Sequence, residues 1–240
     1  MKTNTQQRSV KIIAEIHPQH MGSMDEIKRM ILQCKINGAD YVKVQLYSSQ
    51  KLFQNNDREF LELTKKEFIE IFHYSKNIGI ELFASVFDEE RVDWCEEAGV
   101  NLYKIASRSV DDKNLCNKII NTKKKTIISL GMYDFKNKKL PYEGENLIYL
   151  YCVSKYPTML SEIEMPNFND SFFLGFSDHT VGVSAAIYAI SKGATYIEKH
   201  FSNNKSMGVE TQMAHICSMN EFDLRMLREQ ADSLTLLRKK

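Results

Sequence analysis

The chain has 240 residues, enough for one large domain or two small ones, and its 32 lysines and arginines nearly balance 31 aspartates and glutamates. This balance excludes nucleic acid or an anionic membrane as a partner attracted by overall charge, so any anion site must be local. No apolar run reaches the roughly 18 residues of a membrane span, and no secretory leader is recognisable. The five cysteines lack metal-binding spacing, so we expect reduced thiols in a soluble, cytoplasmic protein.

Short β-branched runs alternate with longer amphipathic runs in the first half of the chain. The alternation predicts strands, and apolar residues at helical spacing predict helices that end near glycines. Strands are predicted at 11–17, 41–47, 81–87 and 101–107, and helices at 24–38, 65–79, 88–99 and 112–122.

The second half continues the alternation, but two of its connections are irregular. Strands are predicted at 125–132, 146–154, 172–179 and 195–202, and helices at 181–193 and 220–237. The connections 133–145 and 155–171 contain proline and no clear helical period, so the outer elements after strands 5 and 6 should be short or absent.

Eight strands, most of them followed by a helix, favour an α/β fold of the (β/α)8 TIM-barrel type as one domain over residues 1–240. An open doubly wound sheet is the alternative. That sheet would need a glycine-rich phosphate turn after its first strand, whereas the first turn here is "HPQHMGS" with a single glycine.

Polar residues concentrate where the predicted strands end, which is where a (β/α)8 barrel carries its active site. Few of these residue types would be chosen to stabilise a strand. They are Glu15, His17, His20, Lys43, Gln45, Lys104, Ser107, Ser129, Ser154, Tyr156, Ser177, His179, Glu198, Lys199 and His200.

Two lysines, Lys43 and Lys104, lie inside strands that a barrel covers on both faces. A buried lysine is unfavourable by several kcal/mol unless it meets an anion, so two of them with nearby serine hydroxyls indicate a site for phosphate plus carboxylate. The alternative is that each lysine extends along its strand end to reach solvent.

His179 and His200 end consecutive strands and could hold a divalent cation together, although a single histidine is more often structural. Glu15 and Glu198 lie on the first and last strands, which become neighbours when a barrel closes. Either carboxylate could act as a general acid or base, or could pair with a lysine such as Lys43. His17 and His20 could be surface groups of the first loop.

Six ordered blocks carry a family resemblance that extends from about Ile12 to Leu227. They are "IIAEIHPQHMGS", "ADYVKVQLY", "LYKIAS", "YCVSKYPT", "GFSDHTVG" and "GATYIEKHF". Together they resemble the sialic acid (N-acetylneuraminate) synthase family, which includes legionaminic and pseudaminic acid synthases.

The resemblance implies a transferase that condenses phosphoenolpyruvate with the aldehyde of an N-acetylated hexosamine, giving a nonulosonic keto-acid and phosphate. It assigns a divalent metal ion of the manganese type, with magnesium or cobalt as alternatives, to His179 and His200. It assigns Glu15 and Glu198 to proton or water handling, and Gln45 and Tyr156 to the sugar. It assigns the phosphoenolpyruvate anion to Lys43, Lys104, Ser107, Ser129, Ser154 and Ser177.

Several departures from the family pattern concern the sugar. The first loop has Gln19 where the family usually has asparagine, Ser154 stands where several members have asparagine, and Arg108 follows Ser107 where glycine is frequent. The family's Gly-Pro-Asp after the last strand has no clear counterpart, with Glu210 as a candidate substitute. The usual C-terminal antifreeze-like domain is not expected here, so a homodimer or a separate lid-supplying polypeptide would have to cover the mouth.

Two alternatives to this function stay open. The barrel could act on another aldose, phosphorylated on a group that Lys155, Arg108 or Lys205 would meet. It could instead have lost turnover and serve as a binding partner in surface-glycan biosynthesis, although such a scaffold has no reason to keep two lysines and two histidines in one mouth.

Overall fold

A computed structural model describes residues 10–205 and 215–238. Its eight parallel strands close into a barrel, in which neighbouring strands follow the order of the sequence. This confirms the predicted (β/α)8 class and rejects the open sheet. The strands are β1 (Lys11–Glu15), β2 (Tyr41–Leu46), β3 (Glu81–Val86), β4 (Leu102–Ile105), β5 (Lys125–Ser129), β6 (Leu147–Cys152), β7 (Phe173–Asp178) and β8 (Tyr196–His200).

Seven α-helices in the described ranges surround this barrel, and six of them match predicted helices. They are α1 (Met24–Ile36), α2 (Ser49–Phe53), α3 (Lys65–Ile78), α4 (Glu89–Ala98), α5 (Lys113–Asn121), α6 (Ser184–Ser191) and α7 (Glu221–Arg238). Local capping fixes their ends: Thr64 and Glu67 form a capping box at the start of α3, and Gly79, with φ +77°, ends it in the left-handed conformation. The short helix α2 was not predicted.

No α-helix follows β5 or β6 in the described chain, as the irregular connections predicted. The connection after β6 contains only a 3₁₀ turn, Leu160–Glu162. Aromatic side chains cover the strands there: the ring centre of Phe135 lies 5.0 Å from that of Phe173 and 6.3 Å from that of Tyr151. These loops therefore bury the outer face of the barrel without a helix.

The strand register brings distant polar residues to one end of the barrel. Glu15 pairs in register with Lys43 on β2 and with His200 on β8, and Ser177 on β7 pairs with Glu198. Because all strands are parallel, their C-terminal ends form a single mouth. None of the helices in the described residues is long and apolar enough to cross a bilayer.

Candidate active site

A cavity of about 770 Å³ opens at the C-terminal mouth of the barrel, a size typical of small-molecule sites. All twelve residues predicted to bind substrate, handle protons or hold metal line this cavity. They are Glu15, Lys43, Gln45, Lys104, Ser107, Ser129, Ser154, Tyr156, Ser177, His179, Glu198 and His200. The fold thus brings together side chains from six strands and from the loops after β4, β6 and β7.

Lys43 lies at the centre of a buried charge network. Its ammonium is 2.7 Å from Glu15 Oε2 and 3.4 Å from Glu198 Oε2, and it donates a hydrogen bond to Ser85 Oγ at 3.0 Å. Burial opposes the charge, but the two carboxylates outweigh it, so the pKa of Lys43 is raised. The alternative that Lys43 extends to solvent is wrong, because only 4% of the residue is exposed.

Lys104 is buried with weaker compensation. Its ammonium donates to the carbonyl of Ile105 at 3.1 Å and lies 3.9 Å from Glu198 Oε1. Burial lowers the pKa of Lys104 to about 8 despite the attraction of Glu198. On the neighbouring strand, the buried hydroxyl of Ser129 has no hydrogen-bond partner among the described residues. An anion in the cavity could satisfy both groups.

The pKa values of the two buried carboxyl groups, Glu15 and Glu198, are shifted in opposite directions. Burial raises the pKa of Glu15, although Lys43 and the backbone N–H of His17, which donates to Glu15 Oε1 at 2.8 Å, act in the opposite direction. Burial also opposes the charge of Glu198, but Lys104 and Lys43 overcome it and lower its pKa to about 2. Ser177 Oγ donates to Glu198 Oε1 at 2.9 Å. Two carboxyls with separated pKa values suit acid and base roles.

The ring of His179 is oriented by its backbone contact. Its Nδ1 lies 2.8 Å from the carbonyl of Val153 and can only donate there, so in the neutral ring Nε2 carries the lone pair. Burial opposes the charged ring, but Cys152 and the Val153 carbonyl outweigh burial and raise the pKa of His179. That lone pair faces the hydroxyl of Tyr156 at 2.9 Å, and the two rings lie 4.0 Å apart. An Nδ1–H donated to a carbonyl with Nε2 directed into a cavity is the usual arrangement of a metal-binding histidine.

His200 completes an imidazole pair that fits a divalent ion. Its ring centre lies 6.2 Å from that of His179, its Nδ1 contacts the Gln19 side-chain amide at 3.1 Å, and burial lowers its pKa well below the usual value. Neutral imidazoles are the form that binds metal. No group of three or more acidic, histidine or cysteine ligands occurs in the described residues, so water or substrate oxygens would complete the coordination.

A chain of hydrogen bonds runs through the first loop, and it corrects the expectation that His17 and His20 are surface groups. Both are buried. The N–H of Gly22 donates to His20 Nδ1, so His20 Nε2–H donates to His17 Nδ1 at 2.9 Å, and His17 Nε2–H donates to the Tyr47 hydroxyl at 3.2 Å. Burial lowers the pKa of both rings, that of His20 to about 4, so both stay neutral.

A second buried ion pair braces the strands that carry the imidazoles. Lys199 donates to Asp178 Oδ2 at 3.0 Å and to the carbonyl of Thr180 at 2.7 Å, and both charged side chains are fully buried. Since Asp178 precedes His179 and Lys199 precedes His200, this pair fixes the spacing of the two rings.

Three further polar residues line the cavity that were not predicted as site residues: Ser85, Cys152 and Arg58. Ser85 is the penultimate residue of β3 and accepts a hydrogen bond from Lys43, a position that strand alternation could have indicated. Cys152 and Arg58 also line the cavity, but no sequence pattern places Arg58 there. The candidate Glu210 lies outside the described residues. Lys155 and Lys205 form ion pairs with Glu162 and Asp223, whereas Arg108 lines the mouth.

The closed barrel and the polar cavity at its C-terminal mouth define the class as a (β/α)8 barrel with an enzyme-type cavity. Comparison with known proteins gives the family: the NeuB family profile matches residues 30–239, and the chain belongs to the NeuB family. This confirms the predicted family and the expectation of an enzyme of the synthase type.

Individual relatives agree with the family assignment. The chain is 32% identical over 237 residues to the pseudaminic acid synthase of Campylobacter jejuni, covering 85% of this chain and 68% of that protein. It is 33% identical over 212 residues to an uncharacterized protein of Methanocaldococcus jannaschii, covering 82% of this chain and 63% of that protein. The chain therefore spans about two thirds of the length of these curated relatives.

A solved structure supports the same fold. The N-acetylneuraminic acid (sialic acid) synthetase of Leptospira borgpetersenii, crystallised with citrate, superposes with a TM-score of 0.85 at 26% identity. The match covers 96% of this chain and 85% of that one, so the whole barrel is shared.

Proposed function

We propose that the protein condenses phosphoenolpyruvate with the open-chain aldehyde of an N-acetylated hexosamine, forming a nonulosonic, sialic-acid-like keto-acid and inorganic phosphate. The observation that carries this proposal is the pair of buried lysines beside serine hydroxyls at the base of the cavity. Lys104 is desolvated and weakly paired, and Ser129 lacks a partner in the described chain. Such a site is suited to a small polyanion.

Phosphoenolpyruvate carries a phosphate and a carboxylate, and both need cationic or hydroxyl donors. Lys104 and Ser129 would receive one anionic group, and Lys43 would receive the other by giving up part of its contact with Glu15. Hydroxyls at the cavity wall extend this donor set: Ser107, Ser154 and Ser177. The substrate would then lie with its reactive methylene toward the imidazole side of the mouth.

The reaction forms one C–C bond, between the phosphoenolpyruvate methylene and the aldehyde carbon. Water adds to the carbon that bears the phosphate, and the C–O bond to phosphate then breaks to leave the ketone. One proton of that water ends on the former aldehyde oxygen and the other leaves with phosphate. Glu15 and Glu198 flank Lys43 and would transfer these protons, while Gln45 and Tyr156 contact the acceptor sugar.

His179 and His200 would hold a divalent ion, manganese or in its place magnesium or cobalt. When bound, such an ion supplies a Lewis acid for the aldehyde oxygen. The Val153 carbonyl and the Gln19 side chain orient the two rings, and the Lys199–Asp178 ion pair holds their strands at a fixed spacing.

The proposal extends to the assembly and its location. The barrel would work in the cytoplasm as a homodimer or with a separate polypeptide that covers the mouth. Closure of this kind excludes water other than the reacting molecule.

Phosphate release by the purified full chain tests the reaction. Release should require phosphoenolpyruvate, an N-acyl hexosamine and manganese together. The organic product should have the mass of the acceptor sugar plus that of pyruvic acid. Ser129→Ala should weaken phosphoenolpyruvate binding by roughly 10-fold, because one hydrogen bond to an anion is lost.

Ser191→Ala is the matched control, because Ser191 bonds to the carbonyl of Tyr188 on the outer helix α6 and lies far from the mouth. Absence of phosphate release with every hexosamine tested would refute the reaction. Equal phosphoenolpyruvate affinity in wild type and Ser129→Ala would refute the assigned anchor.

A further inference from the structure

Two arginines from separate loops converge on one aromatic ring at the rim of the cavity. The guanidinium carbon of Arg58, which follows α2, lies 5.0 Å from the ring centre of Phe53. The guanidinium carbon of Arg108, which follows β4, lies 5.2 Å from the same centre. All three residues line the cavity.

The cavity offers these arginines no carboxylate. Among the described lining residues the carboxylates are Glu15 and Glu198, and buried lysines already engage both. Arg108 also borders an adjoining pocket of about 210 Å³ with two aspartates. Those aspartates accept N–H groups at the first turns of α4 and α5, so they serve as helix caps.

The positions of the two arginines are restrained although their side chains are exposed. Stacking on Phe53 orients both guanidinium groups and limits their rotamers. The positive charge of Arg58 also acts on the site electrostatically, because it helps to lower the pKa of His17. Two guanidinium groups held on one ring, with no free carboxylate among the described residues that line the cavity, leave cationic donors at the rim for an external anion.

We infer that Arg58 and Arg108 bind an anionic group, phosphate or carboxylate, on the end of the acceptor sugar remote from its aldehyde. This inference rests on the proposed condensation and names the acceptor class. The arginines lie at the rim, whereas the buried lysines lie at the base of the cavity. An acceptor with its aldehyde toward His179 and His200 would therefore extend its other end outward to the rim.

The other cations considered for such a group do not share this geometry. Lys155 is paired with Glu162, and Lys205 lies 3.2 Å from Asp223 at the start of α7. Neither lysine lines the cavity in the described residues.

Kinetic comparison of three acceptors tests the inference: N-acetylmannosamine, its 6-phosphate and the corresponding 6-carboxylate. With the full chain, phosphoenolpyruvate and manganese, we expect the KM for at least one charged acceptor to be roughly 10- to 100-fold below that for the neutral sugar. Arg108→Gln and Arg58→Gln should each reduce this ratio by about 10-fold, and Arg108→Lys should retain part of it. The acceptor with the larger ratio identifies the anion as phosphate or carboxylate.

Arg29→Gln is the matched control, because Arg29 is an exposed arginine of α1 that pairs with Glu26 outside the mouth. It should leave the ratio unchanged. Thermal melting of each variant shows whether the barrel remains folded. Equal KM values for the three acceptors in wild type, or a ratio that survives both glutamine substitutions, would overturn the inference.

Direct binding separates this inference from the proposed reaction. Calorimetric titration of the 6-phosphate and the 6-carboxylate into the protein with phosphoenolpyruvate requires no turnover. Arginine-dependent binding without phosphate release would overturn the reaction and support the anion site. Turnover of the neutral sugar without arginine-dependent binding of a charged sugar would support the reaction and overturn the anion site.

Discussion

Replacement of Lys104 by methionine should stabilise the ligand-free barrel and at the same time weaken phosphoenolpyruvate binding. Burial lowers the pKa of Lys104 from the ordinary 10.5 to about 8, so its proton is held less tightly in the folded chain. A difference of that size corresponds to about 3 kcal/mol against the charged form. Methionine has similar length and removes the charge. The lowered pKa already includes the attraction of Glu198 at 3.9 Å, and Glu198 keeps Lys43 at 3.4 Å, so we expect a net stabilisation of about 1–3 kcal/mol.

The pH dependence of this effect has a definite sign. Between pH 8 and 10.5 the unfolded chain binds the Lys104 proton and the folded chain does not, so wild-type stability rises with pH in this window. The advantage of Lys104→Met should therefore be greatest below pH 8 and shrink toward pH 10.5. Phosphoenolpyruvate binding should lose about 1.5–3 kcal/mol, a Kd increase of roughly 10- to 100-fold.

Urea unfolding at pH 7 and pH 10, together with calorimetric titration of phosphoenolpyruvate at pH 7, measures both quantities. Lys118→Met is the control, because Lys118 lies on α5 and pairs with the exposed Asp93. The reasoning is refuted if Lys104→Met destabilises the protein at pH 7, or if it binds phosphoenolpyruvate as wild type does.

Three further predictions follow from other contacts. Phosphoenolpyruvate affinity, by calorimetry, should fall as pH rises above about 8, where Lys104 loses its proton; a pH-independent Kd would contradict this. Asp178→Asn should destabilise the fold by about 3–5 kcal/mol, because Lys199 keeps a buried charge without its carboxylate. A loss below about 1 kcal/mol in urea unfolding would show that this pair is not needed. Gly175→Ala should destabilise by about 2–3 kcal/mol, because its Cβ would lie 2.1 Å from the carbonyl oxygen of Tyr196; an unchanged melting temperature would disprove this contact.

Much of the fold could be predicted because local signals agree with tertiary packing. The helix α3 begins at a Thr64–Glu67 capping box and ends at Gly79, and both signals are visible in the sequence. The short helix α2 was missed because five residues at Ser49–Phe53 are too few to show an apolar period. Its position depends on side-chain packing, such as the edge contact between the rings of Phe53 and Tyr47.

The residues of the candidate site could be predicted, but the ion pairs and hydrogen bonds between them could not. Strand order alone makes His179 and His200 neighbours, and the register pairs the residues that precede them, Asp178 and Lys199. Sequence patterns do not show that Lys43 is shared by two carboxylates, because that depends on side-chain reach inside the closed barrel. The first loop was misjudged for the same reason: His17 turns inward once Tyr47 offers it a hydrogen-bond acceptor.

The sharing of Lys43 by Glu15 and Glu198 has a consequence for selectivity. These carboxylates are tethered competitors at high effective concentration for any anion that enters the cavity. A small monoanion would only replace a carboxylate that Lys43 already contacts, so its binding brings no new ion pair. A ligand with two anionic groups can bind Lys104 as well. We therefore expect the site to bind chloride and acetate weakly and multiply charged metabolites more tightly.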